Sequence, residues 1–178
     1  MNTKSFWFPA FRKVVPAEFE EWLEGLAQEG WNVENLGLFG AFRIKFRKTE
    51  PRKYRYVFDL NVLPKEDYTQ TYRQFGWEFA GRMSNCFVWR KEYAGIRPES
   101  FTDNESLVRR NKQLRNIFIA VSVLIFIAIG FLITGGVVMN LYGKSTESLA
   151  LIPALVFFSA FSVYFRWVIR KINKNLDR

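Results

Sequence analysis

Two stretches of the chain repeat one order of residues: LAQEGWNVENLGLFGAFRIKFRK (Leu26–Lys48) and YRQFGWEFAGRMSNCFVWRKE (Tyr72–Glu92). Each begins with an amphipathic run, passes through a Gly-Trp pair, and ends in a strand-like segment of aromatic and basic residues. Glycine commonly ends a helix, and the tryptophan then begins a run with the two-residue period of a strand. The sequence therefore predicts a helix followed by two strands, twice.

The residues upstream of each stretch complete the pattern. A strand candidate comes first, KSFWFPAFRKV (Lys4–Val14) in one case and YRYVFDLNV (Tyr54–Val62) in the other. Pro16 and Pro64 then open the helices, because proline suits the first helical turn. A turn near Ser84-Asn85 separates the last two strands of the second copy. We therefore predict an α+β domain over residues 1–95, with two βαββ-type units forming an antiparallel sheet and helices on one face.

Four segments of this domain resemble a bacterial family, the domain of unknown function numbered 2812. The resemblance covers roughly residues 5–92, and its segments are FRK (Phe11–Lys13), EEWLEGLAQEGW (Glu20–Trp31), FRKTEPRKYRYVFDL (Phe46–Leu60) and YRQFGWEF (Tyr72–Phe79). The resemblance implies a cytosolic domain attached to C-terminal membrane spans, and genes often near regulators of the PadR type. It supplies no catalytic residues.

Two apolar runs follow the domain. Ile117–Met139 contains 23 residues without a charge, and a second run from Leu149 to Ile169 is interrupted only by Arg166. Since roughly 20 apolar residues span a bilayer, we predict a transmembrane hairpin over residues 117–178, with spans at about 117–139 and 149–169 and a basic C-terminal tail. A polar and basic connector, part of it helical, occupies residues 96–116. The alternative is a soluble protein with two buried helices.

Basic residues beside the two runs predict the orientation in the membrane. The loop between the runs has only Lys144, offset by Glu147. By the positive-inside rule, both termini are expected in the cytoplasm and the protein in the cell membrane. The flanking basic residues are Arg109, Arg110, Lys112, Arg115, Arg166, Arg170, Lys171 and Lys174.

The charge distribution narrows the class of partner. The formal charge of +9 divides into +3 for residues 1–96 (15 Lys/Arg, 12 Asp/Glu) and +6 for residues 97–178 (11 Lys/Arg, 5 Asp/Glu). Anionic lipid accounts for an excess beside membrane spans, and the small excess on the domain argues against nucleic acid. The single Cys86 and the absence of His remove a disulfide, a cysteine-cluster metal site and the usual general base. We predict no catalytic, cofactor-binding or metal-binding residues.

Three groups of side chains are candidates for contact with a ligand or surface. The acidic face of the first helix, Glu18, Glu20, Glu21, Glu24 and Glu29, is read as a solvated face rather than an acid/base or metal site. Basic residues on the sheet face opposite the helices either contact an anionic surface or are simply solvated; they are Arg43, Lys45, Arg47, Arg55 and Arg90. Four tryptophans either fill the core or line a groove for a peptide: Trp22, Trp31, Trp77 and Trp89.

The function predicted from these features is that of a non-enzymatic, membrane-anchored module. Its cytosolic domain binds another membrane or cytosolic protein, or a peptide, in a regulatory, sensing or immunity role, and a homo-oligomer is a candidate assembly. One alternative is an inner-leaflet enzyme acting on lipid or a cell-wall precursor, against which stand the absence of His and of a G-x-S-x-G nucleophile motif. The other alternative is a membrane-tethered regulator that binds nucleic acid.

Overall fold

The computed structural model describes residues 2–34, 36–60, 67–83, 86–98 and 104–176. The chain divides into two compact units, Met1–Leu107 and Val108–Arg178. The sequence-based division, with a separate connector over residues 96–116, stays a prediction. Pro64 and the turn at Ser84-Asn85, both singled out in the sequence, lie outside the described residues.

The first unit contains two copies of one arrangement. The first repeat, Thr3–Lys48, consists of β1 (Thr3–Trp7), α1 (Pro9–Arg12), α2 (Pro16–Gln28), β2 (Trp31–Val33), a 3₁₀ turn (Leu38–Ala41) and β3 (Arg43–Lys48). The second repeat, Tyr54–Glu92, consists of β4 (Tyr54–Asp59), α3 (Tyr68–Gln74), β5 (Glu78–Met83) and β6 (Cys86–Glu92).

Each repeat builds one three-stranded sheet with the same topology. The strand orders are β1-β3-β2 and β4-β6-β5, and every pair within them is antiparallel. The third strand of each repeat therefore lies between the first two. The α+β class predicted from the repeated Gly-Trp pattern is confirmed.

The six strands do not form one continuous sheet. A parallel bridge between Leu36 and Gly81 joins the two sheets, with hydrogen bonds from the Leu36 N–H to the Ala80 carbonyl (3.1 Å) and from the Arg82 N–H to the Leu36 carbonyl (2.9 Å). Gly81 has φ +137°, and a Cβ there would lie 2.1 Å from the Leu36 carbonyl oxygen. Only glycine permits this close approach of backbone to backbone.

The glycine of each Gly-Trp pair ends a helix, as the sequence predicts. Gly30 follows α2 with φ +82°, and Gly76 follows α3 with φ +77°. Both values lie in the left-handed region that glycine adopts at little cost, which turns the chain out of the helix. Trp31 then begins β2, and Trp77 precedes β5.

A main core lies where α2 faces both sheets. Its buried residues come from α2, from the inner face of the first sheet and from one face of the second sheet: Phe19, Leu23, Leu26, Ala27, Val33, Leu36, Ile44, Phe46, Tyr54, Tyr56, Phe58, Cys86 and Val88. The free Cys86 is one of them. Burial of this apolar surface is the main stabilising contribution to the fold.

A second core lies on the opposite face of the second sheet, so α3 does not share a face with α2. It consists of Val57, Trp77, Phe87 and Trp89, with Tyr68 and Tyr72 of α3 packed against them. Tyr72 stacks on Trp89 at 4.4 Å between ring centroids. The hydroxyls of Tyr68 and Tyr72 both donate to Asp59 Oδ2, at 2.7 Å and 3.1 Å. These phenol–carboxylate bonds hold the short helix on the outer face, a detail that the alternation of residues does not predict.

The second unit contains most of α4 (Asn104–Leu141), α5 (Ser145–Leu149) and α6 (Ile152–Leu176). Two of these helices are long and apolar enough to cross a membrane, within Val108–Leu141 and Thr146–Leu176. Their apolar side chains are mostly exposed, including Phe126, Phe131 and Val163. Exposed apolar surface of this extent is unlike the buried helices of a soluble core, so the two helices indicate association with a membrane.

Candidate binding surfaces

A buried network of charges covers the outer edge of β4. Glu20 and Glu24 lie one turn apart on α2, and only 2% and 6% of their surfaces are exposed. Glu24 Oε1 accepts the backbone N–H of Tyr56 at 3.1 Å, and Glu20 Oε1 accepts that of Phe58 at 3.0 Å. The two carboxylates thus take the place of a neighbouring strand, because they satisfy N–H groups that an edge strand leaves unpaired.

Two arginines balance these carboxylates. Arg55 Nη1 donates to Glu20 Oε2 at 3.1 Å and to Glu24 Oε1 at 2.8 Å, and Arg97 Nε donates to Glu24 Oε2 at 3.0 Å. Burial lowers the pKa of Arg97, but the hydrogen bonds and charge of Glu24 outweigh it, so that pKa is raised. All four carboxylate oxygens are hydrogen-bonded, so the network holds α2 against β4.

The structure corrects two interpretations of the sequence at this network. Glu20 and Glu24 do not belong to a solvated helix face, because both are buried against β4. Arg55 does not lie on an exposed basic face, because only 7% of its surface is exposed and its guanidinium binds the two carboxylates. Among the residues that the structure describes, no group of three or more His, Cys, Asp or Glu could hold a metal ion.

Three of the other basic strand residues share one face, because Arg43, Lys45 and Arg47 alternate along β3 with the buried Ile44 and Phe46. Arg43 is exposed and lies over the Trp7 ring at 5.0 Å. Lys45 and Arg47 lie beside Glu34, with which Arg47 forms a hydrogen-bonded ion pair. Arg90 is in the second sheet, paired with Glu78 at 3.0 Å. Contact of Arg43, Lys45, Arg47 and Arg90 with an anionic surface stays a prediction.

The four candidate tryptophans divide between the two cores. Trp77 and Trp89 are buried in the second core, and Trp22 and Trp31 are partly buried against the main core. Trp22 makes edge contacts with Phe6, Phe19 and Phe46. These contacts fit the core interpretation. The basic residues predicted to flank the membrane lie on α4 (Arg109, Arg110, Lys112, Arg115) and α6 (Arg166, Arg170, Lys171, Lys174).

A polar cleft of about 370 Å³ opens between the two sheets. We call it the inter-sheet cleft; its lining residues are Asn32, Val33, Glu34, Arg47, Thr49, Arg52, Tyr54, Glu78 and Arg90. They come from five strands and from the link between the repeats. The volume lies within the range of small-ligand sites.

Two polar atoms in the wall of the inter-sheet cleft have unmet hydrogen-bonding capacity. The Asn32 side chain, 8% exposed, donates from Nδ2 to Thr49 Oγ1 at 2.7 Å and to the Glu50 carbonyl at 3.2 Å. Among the described residues, its Oδ1 has no donor and Arg47 Nε has no acceptor. Both atoms are buried, and an unpaired buried polar group costs about 1–3 kcal/mol.

Two arginines of the inter-sheet cleft, Arg52 and Arg90, have raised pKa values. Tyr54 and then Glu92 raise the pKa of Arg52, whose Nη1 lies 2.9 Å from Glu92 Oε2. Burial lowers the pKa of Arg90, but the hydrogen bond to Glu78 and the nearby tyrosines outweigh it, so the pKa is raised. Arg90 also lies over the Tyr54 ring at 4.8 Å.

Most of the residues that line the inter-sheet cleft are not recognisable as a site from the sequence. Asn32, Thr49, Arg52, Tyr54 and Glu78 lie in separate segments and meet only when the two sheets pack. The sequence offers one signal. Thr49 and Arg52 lie in the link between the two predicted repeats, and residues of such a link border any cleft between the repeats.

Comparison with known proteins places the chain in a family. Residues 16–123 match the model of a family described as Protein of unknown function (DUF2812). No curated protein and no solved structure matches the chain. The matched range begins at α2 and extends into α4, so it includes most of the first unit and part of the first apolar helix.

Proposed function

The chain belongs to the DUF2812 family, and we propose that it is a non-enzymatic, membrane-anchored module that binds a peptide or a peptide segment of a protein partner. The observation that supports this function is the pair of unmet atoms in the inter-sheet cleft. In an extended segment the N–H and the C=O of one residue point to the same side, so one residue of a bound peptide offers the donor and the acceptor that Asn32 Oδ1 and Arg47 Nε lack, once these buried side-chain atoms turn toward the cleft. The cleft is large enough for a short extended segment.

Membrane anchoring is the second part of the proposal. Two helices of the second unit are long and apolar enough to span a bilayer. The basic residues on α4 and α6 beside the uncharged runs favour a cytoplasmic domain and cytoplasmic termini. A peptide-binding domain held in this way senses, regulates or protects against a partner that reaches the inner side of the membrane.

Site-specific photo-crosslinking tests the peptide site in the full chain within cell membranes. Arg52 is exposed and lines the inter-sheet cleft, whereas Arg73 is equally exposed on α3 and lies outside it. With a benzoylphenylalanine at position 52 we expect an adduct that protease digestion reduces to a peptide, and at position 73 no such adduct. Arg90→Gln should weaken the adduct and Arg73→Gln should not. A protease-resistant adduct, or none at position 52, contradicts the proposal.

Reporter fusions test the orientation. A reporter that is active only in the cytoplasm should be active when fused at residue 95 and at residue 178, and inactive when fused at Ser145, between α4 and α6. Activity at Ser145 with silence at both other positions would reverse the orientation.

A further inference from the structure

Exposed aromatic side chains cluster at one end of the first repeat. Trp7 ends β1, Phe8 precedes α1 and Phe11 lies within α1. Phe39 lies in the 3₁₀ turn, and Phe42 precedes β3. The exposed fractions include 58% for Trp7, 50% for Phe8 and 78% for Phe39. Phe8 and Phe11 each contact Phe42, with ring centroids 6.3 Å and 5.7 Å apart. We call these five side chains the aromatic surface.

The backbone holds Phe8 in this exposed position under strain. Phe8 has φ +54° and ψ +41°, the left-handed region, and its N–H donates to the Phe42 carbonyl at 2.6 Å. A bulky residue in that region is an outlier that costs about 1–3 kcal/mol, and such strain concentrates at functional positions. Half of the Phe8 side chain nevertheless remains in solvent.

The two segments that supply the aromatic surface carry basic residues only, of which Lys45 and Arg47 pair with Glu34 from outside them. The segments 2–15 and 36–48, which supply all five aromatic residues, contain no Asp or Glu. Arg43 lies over the Trp7 ring, and Arg12 is exposed in the last turn of α1. The basic residues of the two segments are Lys4, Arg12, Lys13, Arg43, Lys45, Arg47 and Lys48.

The length of the chain keeps this surface within reach of a bilayer. Only 18 residues separate Pro98 from Ile117, where the uncharged run of α4 begins. Residues 104–116 of this link belong to α4 and rise roughly 20 Å along the helix axis. A domain on so short a link meets the lipid headgroups at a high local concentration.

We infer that the aromatic surface docks on an anionic lipid leaflet. Tryptophan and phenylalanine enter the boundary between headgroups and acyl chains, and the basic residues around them pair with anionic headgroups. This role goes beyond the peptide site, since the inter-sheet cleft has a different lining. The bilayer is therefore contacted twice, by the apolar helices and by the first repeat.

Depth-sensitive fluorescence of the full chain in vesicles tests this inference. A Cys86→Ala background removes the single native cysteine, and an NBD fluorophore is attached at Phe39→Cys or, as the matched control, at Phe75→Cys. Phe75 is 54% exposed at the end of α3, in the second repeat. In vesicles of equal parts phosphatidylcholine and phosphatidylglycerol, we expect blue-shifted emission at position 39 that spin-labelled lipid quenches, and water-like emission at position 75.

Charge variants test the anionic part of the inference. Arg12→Gln with Arg43→Gln should lower the ratio of docked to undocked domain about thirtyfold, whereas Arg73→Gln with Lys53→Gln should leave it unchanged. Circular dichroism checks that each variant is folded. Water-like emission at position 39 in anionic vesicles would overturn the inference. Equal docking on vesicles of phosphatidylcholine alone would overturn it too, because charge would then have no part.

Discussion

The two repeats have one topology but use their helices in different ways. In the first repeat, α2 is 13 residues long and presents buried carboxylates to β4, a strand of the other repeat. In the second repeat, α3 is 7 residues long and lays its tyrosines on the outer face of its own sheet. Local signals such as Gly-Trp fix where elements begin and end, whereas the polar residues of each helix decide where it packs.

The contrast also separates the contribution of each helix to stability. Helix α2 links the repeats, so a change in its charged network affects both sheets. Helix α3 covers one face of one sheet. Urea unfolding of the detergent-solubilised full chain, followed by tryptophan fluorescence, measures the difference, because five of the six tryptophans lie in the first unit.

The largest effect is expected at the buried network. Arg55→Met leaves Glu20 and Glu24 without their shared cation, and breaking one side of a buried ion pair costs about 3–5 kcal/mol of unfolding free energy. The matched change Arg52→Met removes an exposed pair with Glu92 and should cost less than about 1 kcal/mol. Equal midpoints for the two variants would show that the network does not hold α2 to β4.

The next largest effect on the free energy of unfolding is expected at the tryptophans of the two Gly-Trp pairs, which should differ from each other. Trp77 is 3% exposed in the second core, so Trp77→Ala should cost about 3–5 kcal/mol. Trp31 is only partly buried, with Lys4 and Lys48 over its ring, and Trp31→Ala should cost less. If the two variants have equal urea midpoints, the repeats use this position alike and the contrast fails.

The two helix-ending glycines give a smaller and sharper test. Alanine at Gly76 meets only the flexible end of Lys91, at 3.7 Å, so the cost is the left-handed backbone alone, about 1–2 kcal/mol. Alanine at Gly30 has the same backbone cost, and its Cβ would also lie 2.6 Å from the Thr49 carbonyl oxygen. Gly30→Ala should therefore have the lower midpoint, and equal midpoints would contradict the close approach.

The smallest effect at neutral pH is expected at Tyr56. Burial raises the pKa of Tyr56 to about 12, above its ordinary value of 10. The folded state therefore prefers the neutral phenol, and the stability that this preference supplies is present below pH 10 and is lost as the pH rises toward 12. Tyr56→Phe should unfold at a higher pH than the parent in an alkaline titration. Identical alkaline midpoints would show that the phenol is not a buried group.

Local parts of the fold were predictable because they depend on neighbours in sequence. Gly30 and Gly76 follow amphipathic runs, and Ile44 and Phe46 alternate with basic residues, so the helix ends and the strand face follow from short-range geometry. Two uncharged runs likewise identify the apolar helices. The packing of α3 was not predictable, because Tyr68 and Tyr72 could serve either sheet face until Asp59 is placed beside them.

The binding surfaces were harder to predict from the sequence than the local fold. Glu20 and Glu24 have the same spacing whether they face water or a strand edge, and only the position of Arg55 in β4 resolves it. The inter-sheet cleft lies between two sheets that a bridge between Leu36 and Gly81 joins, and one glycine among several is the sign of that bridge in the sequence. The aromatic surface was visible as FWFPAF, but its exposure depends on the left-handed turn at Phe8.

The carboxylates that cover β4 also limit the pairing of that strand with other molecules. The sheets meet near β2 and β5, which leaves β1 and β4 as the outermost strands of the pair. An open edge at β4 would accept a further strand from another molecule, in the way that leads to fibre growth. Glu24 and Glu20 accept hydrogen bonds from the N–H groups of Tyr56 and Phe58 there, so β4 is closed to a further strand at these residues.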